Sequence, residues 1–193
     1  MKFNVRVYKT NKSIYKAFGS LLKKKEFSKI TVNNICKNAL ISKSTFYAHF
    51  TDKYDLLSQY TDQIVSIFKT SISHRFEDMG HQNPFLTIDK IAKEVINQRV
   101  EMQQLISLHC FGLQFEKSIK KVLYDVCVEW LTSSNKKTKF SIDFTASLYS
   151  QIAFSSIKFS LENAEKNGEY LDNQIAFISS IQKSMLNTIF VQE

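Results

Sequence analysis

Apolar residues recur at helical spacing through most of this chain, and the pattern is sharpest near the amino terminus. Val32, Ile35, Cys36 and Ala39 fall at i, i+3, i+4 and i+7, one apolar stripe on a short helix. Thr31 precedes that stripe, Ser42 precedes KSTFYAHF and Asp52 precedes KYDLL. Each offers a side-chain oxygen that can cap the helix it introduces. Within KSTFYAHF, Phe46 and Phe50 lie one turn apart and point to the core. A rotation of about 100° per residue then puts Ser44, Thr45 and Ala48 opposite the core, with Lys43 and Tyr47 on one flank and His49 on the other. Upstream, Ile14, Phe18, Leu21 and Leu22 form a stripe within residues 9–25 that packs over the two short helices, and Lys23, Lys24 and Lys25 end it.

Downstream, polar breaks at residues 80–84, 133–139 and 167–169 divide the chain into expected helices over 53–78, 85–108, 112–132, 141–166 and 171–190. Four glycines and one proline leave little material for the turns of an all-β fold. The fold class expected is all-α: a three-helix helix-turn-helix domain over residues 1–52, then a helical bundle over 53–193. The helix beginning at Lys53 closes the first part and enters the second. Its positions Leu57, Tyr60, Ile64, Phe68 and Ile72 fit packing along its length.

Charge changes the picture. Residues 1–60 hold 12 Lys and Arg against 3 acids, a net of +9, whereas residues 61–193 hold 14 bases against 15 acids, a net of −1. Together these give the chain's +8. An excess confined to the segment with the two short helices is an electrostatic footprint for a polyanion. A major groove about 12 Å wide admits one helix, whose central side chains meet base edges while its flanks meet phosphates. Small residues at the centre of the exposed face and Lys, Tyr and His at its rim suit that division.

The string Phe27-x-x-Ile30-Thr31-Val32-x-x-Ile35-Cys36, followed by Ala39-x-x-Ser42-Lys43-x-Thr45-Phe46-Tyr47-x-His49-Phe50-x-x-Lys53-x-x-Leu56-Leu57, resembles the helix-turn-helix signature of the TetR family of bacterial regulators. The resemblance covers roughly residues 10–58. It implies that Lys43, Ser44, Thr45 and Ala48 lie at or near bases, and that Tyr47, His49 and Lys53 hold phosphates. The first turn of the helix at Lys53, with its dipole and unpaired N–H groups, favours a phosphate in general. Thr31 and Ser42 complete the set of candidate DNA-binding residues.

The chain departs from the family pattern in two places. Leu40 stands where the family usually has Gly, and a helical or bridging turn, with no left-handed residue, is expected there. Ala48 replaces longer polar side chains; its methyl group can touch a thymine methyl but cannot hydrogen-bond, which leaves more of recognition to DNA shape.

For the second part, aromatic side chains including Phe68, Phe111, Phe115, Tyr124 and Tyr149 are candidates to line an effector pocket, with ordinary core as the alternative. The last helix carries two apolar stripes. Its Ile175, Ile178, Met185 and Ile189, with Ala153, Ser156 and Ser160 on the helix before it, are the expected two-fold dimer surface.

Cys36, Cys110 and Cys127 have no metal or redox spacing, and no zinc pattern, phosphate-binding glycine loop or nucleophile elbow occurs. No cofactor, no metal and no enzyme activity are therefore expected. No run reaches the roughly 20 apolar residues of a membrane span, and no stretch has signal-peptide character, so a cytoplasmic protein without membrane contact is expected.

The function expected is that of a homodimeric DNA-binding repressor of a near-palindromic operator, released by an unknown small-molecule effector. An adaptor that answers to a protein partner and a sequence-indifferent nucleoid protein stay open.

Overall fold

The computed structural model describes residues 5–78, 99–133 and 137–163, and beyond these residues 173, 176–178, 180, 181, 184, 185, 188 and 189. Side chains are described for all of them except residues 74–78, 109 and 110. The chain is all-α: α1 (Val5–Leu22), a 3-10 turn (Phe27–Lys29), α2 (Val32–Ala39), α3 (Lys43–Tyr47), α4 (Lys53–Asp78), α5 (Arg99–Ile106), α6 (His109–Ser133) and α7 (Ile142–Asn163). Among the described residues no β-strand forms, and no helix is long and apolar enough to cross a membrane. Two compact units are present, Met1–Ile64 and Val65–Glu193.

In the first unit α1 begins earlier than the stripe predicts, at Val5, and ends at Leu22, so that Lys23, Lys24 and Lys25 lie beyond the helix. Its Ile14, Phe18 and Leu21 are buried with Ile35, Cys36, Ala39, Phe46, Phe50, Leu56, Leu57 and Tyr60. The rings interlock edge to face: Phe18 stands 5.5 Å from Tyr60 and 6.2 Å from Phe27, and Tyr15 stands 5.9 Å from Phe50. Such contacts add to area burial and fix ring orientation. Gly19 permits the close approach of α1, since a Cβ there would lie 2.8 Å from the Tyr60 hydroxyl.

The turn between α2 and α3 differs from expectation. Leu40 is left-handed, with φ 55° and ψ 45°, and 91% of it is exposed. Its N–H and that of Ile41 both donate to the Cys36 carbonyl, the pattern that closes a helix through a left-handed residue. Satisfying this carbonyl outweighs the roughly 1–2 kcal/mol that a non-glycine residue loses in that region, and the Leu40 side chain, pointing to solvent, meets no further clash.

In the second unit α6 and α7 pack antiparallel. Glu116 pairs with Lys158 at 2.9 Å toward one end, and Tyr124 donates to Asp143 at 2.8 Å toward the other. Phe115, Ile119, Val122, Val126 and Cys127 of α6 meet a face of α7 rich in small residues: Ala146, Ser150, Ala153, Ser156 and Ser160. Small side chains let the two backbones approach closely. The buried hydroxyls of Ser150 and Ser156 donate to carbonyls of their own helix, at 2.8 and 2.9 Å. Expected helix 85–108 is described only as Arg99–Ile106; residues 79–98 lie outside the described residues.

Candidate nucleic-acid interface

The helix-turn-helix is built from caps outward. Thr31 accepts from the Asn34 N–H and donates its own N–H to Asn34 Oδ1, both at 3.2 Å, a reciprocal capping box at the start of α2. Ser42 accepts from the Thr45 N–H at 3.0 Å, and its hydroxyl lies 2.9 Å from Thr45 Oγ1. Each cap satisfies an N–H that the helix itself cannot, a stabilisation of about 1 kcal/mol. Sequence reading found Thr31 and Ser42; Asn34 it missed, although its Thr-x-x-Asn spacing is the signal that reveals such a box.

With α3 so started, its register follows. Phe46 is wholly buried and Phe50 nearly so, their rings 5.6 Å apart. Ser42, Lys43, Ser44, Tyr47 and Ala48 are exposed, while Thr45 and His49 are half-buried. Tyr47 stands on edge against Phe46 at 5.4 Å, and His49 lies beside the Phe50 ring at 6.2 Å. The helix is short, Lys43–Tyr47, with Ala48 as its final cap. Ser44 and Ala48 form the low centre of the exposed face, with the longer Lys43 and Tyr47 along one flank and His49 on the other. Burial pushes the Cys36 thiol behind this surface above its ordinary range, with the Lys43 charge opposing.

Lys53 lies apart from this group in its chemistry. Its ammonium donates to the carbonyls of Phe27, Ser28 and Ile30 at 3.1, 3.1 and 2.9 Å and sits over the rings of Phe27 and Tyr54. At the same helix end Asp52 Oδ1 accepts from the N–H groups of Tyr54 and Asp55, both at 2.8 Å. Two of the N–H groups that the sequence reading left for a phosphate are thus already bonded.

Residues 14–60 match the family model described as bacterial regulatory proteins, tetR family. This helix-turn-helix segment is of the TetR-family type. It is 29% identical over 118 residues to the HTH-type dhaKLM operon transcriptional activator DhaS of Lactococcus lactis subsp. lactis (strain IL1403), an alignment covering 60% of this chain and 62% of that relative's length, less than two thirds of it. Among solved structures, the dihydroxyacetone kinase operon activator DhaS superposes with a TM-score of 0.68 at 18% identity, over 94% of this chain and 98% of that one. A TetR transcriptional regulator from Streptococcus agalactiae 2603V does so with 0.59 at 22% identity, over 92% and 95%. At these identities the structures establish the TetR fold alone.

In the second unit the five aromatic candidates occupy different settings. Phe115 and Tyr149 are core, Phe68 is buried on α4, Phe111 is exposed, and Tyr124 bridges outward to Asp143. A cleft of about 360 Å³ instead lies among Phe140, Phe144, Thr145, Leu148, Ile181 and Met185, with Ser184, Thr188 and Ile189. None of the five lines it.

The dimer candidates separate as well. Ala153, Ser156 and Ser160 are buried inside the protomer against α6, so the face of α7 that they occupy is already used. Ile178 and Met185 are half-buried, Ile189 is buried, and Ile175 lies outside the described residues. Among the described residues of this region, exposed apolar side chains include Phe144, Leu148, Phe177 and Ile181. The i, i+4 spacing of Phe144 and Leu148 was the available signal.

Cys127 is buried and unpaired, its thiol pushed up to about 12 by desolvation; the Cys110 side chain lies outside the description. Among the described residues no cluster of His, Cys, Asp or Glu could hold a metal ion.

Proposed function

We propose that this chain is a homodimeric transcriptional regulator of the TetR family, whose α3 enters the major groove of a near-palindromic operator and whose second unit receives a small effector. One observation carries the reading: the cap at Ser42 and the burial of Phe46 and Phe50 turn a low, polar, cation-flanked face outward on the most basic part of the chain. Ser44, Thr45 and Ala48 are the base-facing residues, with Lys43, Tyr47 and His49 on phosphates and Thr31 at the α2 end of the same surface. A two-fold dimer spaces two such helices about 34–36 Å apart, one turn of DNA. The apolar side chains Phe144, Leu148, Phe177 and Ile181 supply a surface for the second copy.

Effector binding that favours one spacing of the two recognition helices would shift the population away from, or toward, the DNA-fitting form. Release from the operator makes the protein a repressor. The opposite sign is favoured by the Lactococcus lactis relative, which is named an operon activator.

Residue-level binding measurements test the docking. Lys43→Ala and Tyr47→Phe are expected to weaken binding to every duplex while the dimer stays folded, and changes at Ser44 or Ala48 to alter which site is preferred. Unchanged affinity in both Lys43→Ala and Tyr47→Phe would remove α3 from the interface.

A further inference from the structure

We infer that Lys53 positions the DNA-binding surface and does not itself hold DNA: its ammonium is a strut between the first turn of α4 and the 3-10 turn that leads into the Thr31 cap. The inference rests on the proposed reading of DNA and assigns this residue a different part in it.

An ammonium has three donors. Those of Lys53 meet three carbonyls, of Phe27, Ser28 and Ile30, within 2.9–3.1 Å. Two of these lie in the 3-10 turn, whose Ile30 N–H donates in turn to Phe27. The third belongs to the residue immediately before Thr31. The stem is half-buried, and the charge lies 4.8 Å from the centre of the Phe27 ring and 5.5 Å from that of Tyr54, which stand edge to face at 5.3 Å. Carbonyl oxygens and ring faces together replace the water that a solvated lysine would keep. A phosphate would have to break this cage to reach the nitrogen.

The surroundings oppose a phosphate there as well. Asp52 and Asp55 flank Lys53, so the first turn carries two acids against one base. Asp52 already takes two of the N–H groups that would bind an anion, and Asp55 accepts from the Thr51 N–H at 2.8 Å. Hydrogen bonds from Gln59 and Thr51 hold the Asp55 carboxyl below its ordinary range, which keeps it charged at neutral pH. What the strut does set is the path of the backbone at Ile30. From there Thr31 and the capped start of α2 take their place beside α3.

Operator binding by the full-length dimer, measured against salt and well below the melting temperature, separates the roles. Removing a phosphate contact lowers the slope of log affinity on log salt by about 0.9 per contact. Lys43→Ala should show that loss. Lys53→Met should lower affinity about tenfold, in keeping with the loss of charged hydrogen bonds, with the slope unchanged.

If Lys53 acts through the Thr31 cap, the losses of Lys53→Met and Thr31→Ala should not add: the double variant should fall little below the weaker single one. In the free protein Lys53→Met should speed amide exchange at Ile30 and Asn34 by about tenfold or more through local opening. A lowered slope, additive losses, or unchanged affinity in the folded variant would each overturn the inference. Should the wild type prefer no site while exchange at Ile30 and Asn34 rises as expected, the strut stands and the proposed reading of DNA falls.

Discussion

The helix α3 and the helix α7 use the same residue types in opposite ways. At α3 the aromatics Phe46 and, just past its end, Phe50 are buried, and the small Ser44 and the cap residue Ala48 face outward; on α7 the small Ala153, Ser156 and Ser160 are buried and Phe144 and Leu148 face outward. The first arrangement leaves a low polar surface fit for a charged, hydrated groove. The second leaves an apolar surface that gains by meeting another apolar one. What a helix presents is therefore set by which of its faces the rest of its own unit consumes, and composition alone does not reveal that.

Several substitutions can break or sharpen this contrast. The largest effect is expected from Phe46→Ala, which empties a fully buried site beneath α3 and should cost about 3–5 kcal/mol in chemical denaturation; a loss near zero would mean that α3 does not take its register from this ring. Replacing both Phe144 and Leu148 with Glu should turn a dimer into a monomer in sedimentation at micromolar concentration. Helical circular dichroism should be retained, because the buried face of α7 is untouched. A dimer that survives would place its interface elsewhere.

Leu40→Gly should act in the other direction. Relief of the left-handed strain, about 1–2 kcal/mol, exceeds the roughly 0.5–1 kcal/mol that glycine loses through chain entropy, so stability should rise by up to about 1.5 kcal/mol. A decrease would show that the exposed leucine makes a contact of its own.

The smallest effect concerns pH. The Asp55 carboxyl is held below its ordinary value in the folded chain, so its contribution is present above the unfolded value, near 3.9, and is lost as pH falls through the folded one. Asp55→Asn should therefore reduce stability slightly at pH 7 and not at all at the acid end of the titration. A difference that persists in acid would assign the loss to packing.

The first unit was the more legible of the two because its signals are local. Caps at Thr31 and Ser42 and the Phe46–Phe50 spacing lie within a few residues of what they control, and the same short-range geometry governs the fold. Besides Asn34, two features escaped. Leu40 was expected to avoid the left-handed region on conformational cost, but closure of α2 onto the Cys36 carbonyl decided it. The Lys53 contacts join residues 23 to 26 positions apart, which no local spacing encodes.

In the second unit the all-helical character and the extents of α6 and α7 were readable from periodicity. The roles of their faces were not. Both faces of α7 carry apolar or small residues, and only the packing of α6 decides that Ser156 is inside and Phe144 outside.

The measurement that bears most directly on the central claim is selection of preferred sites from random duplex DNA by the purified protein at about 0.15 M salt, where non-specific binding is not exaggerated. The account predicts enrichment of an inverted repeat with half-sites about 10 base pairs apart, centre to centre. Binding that persists with no sequence enriched would contradict it.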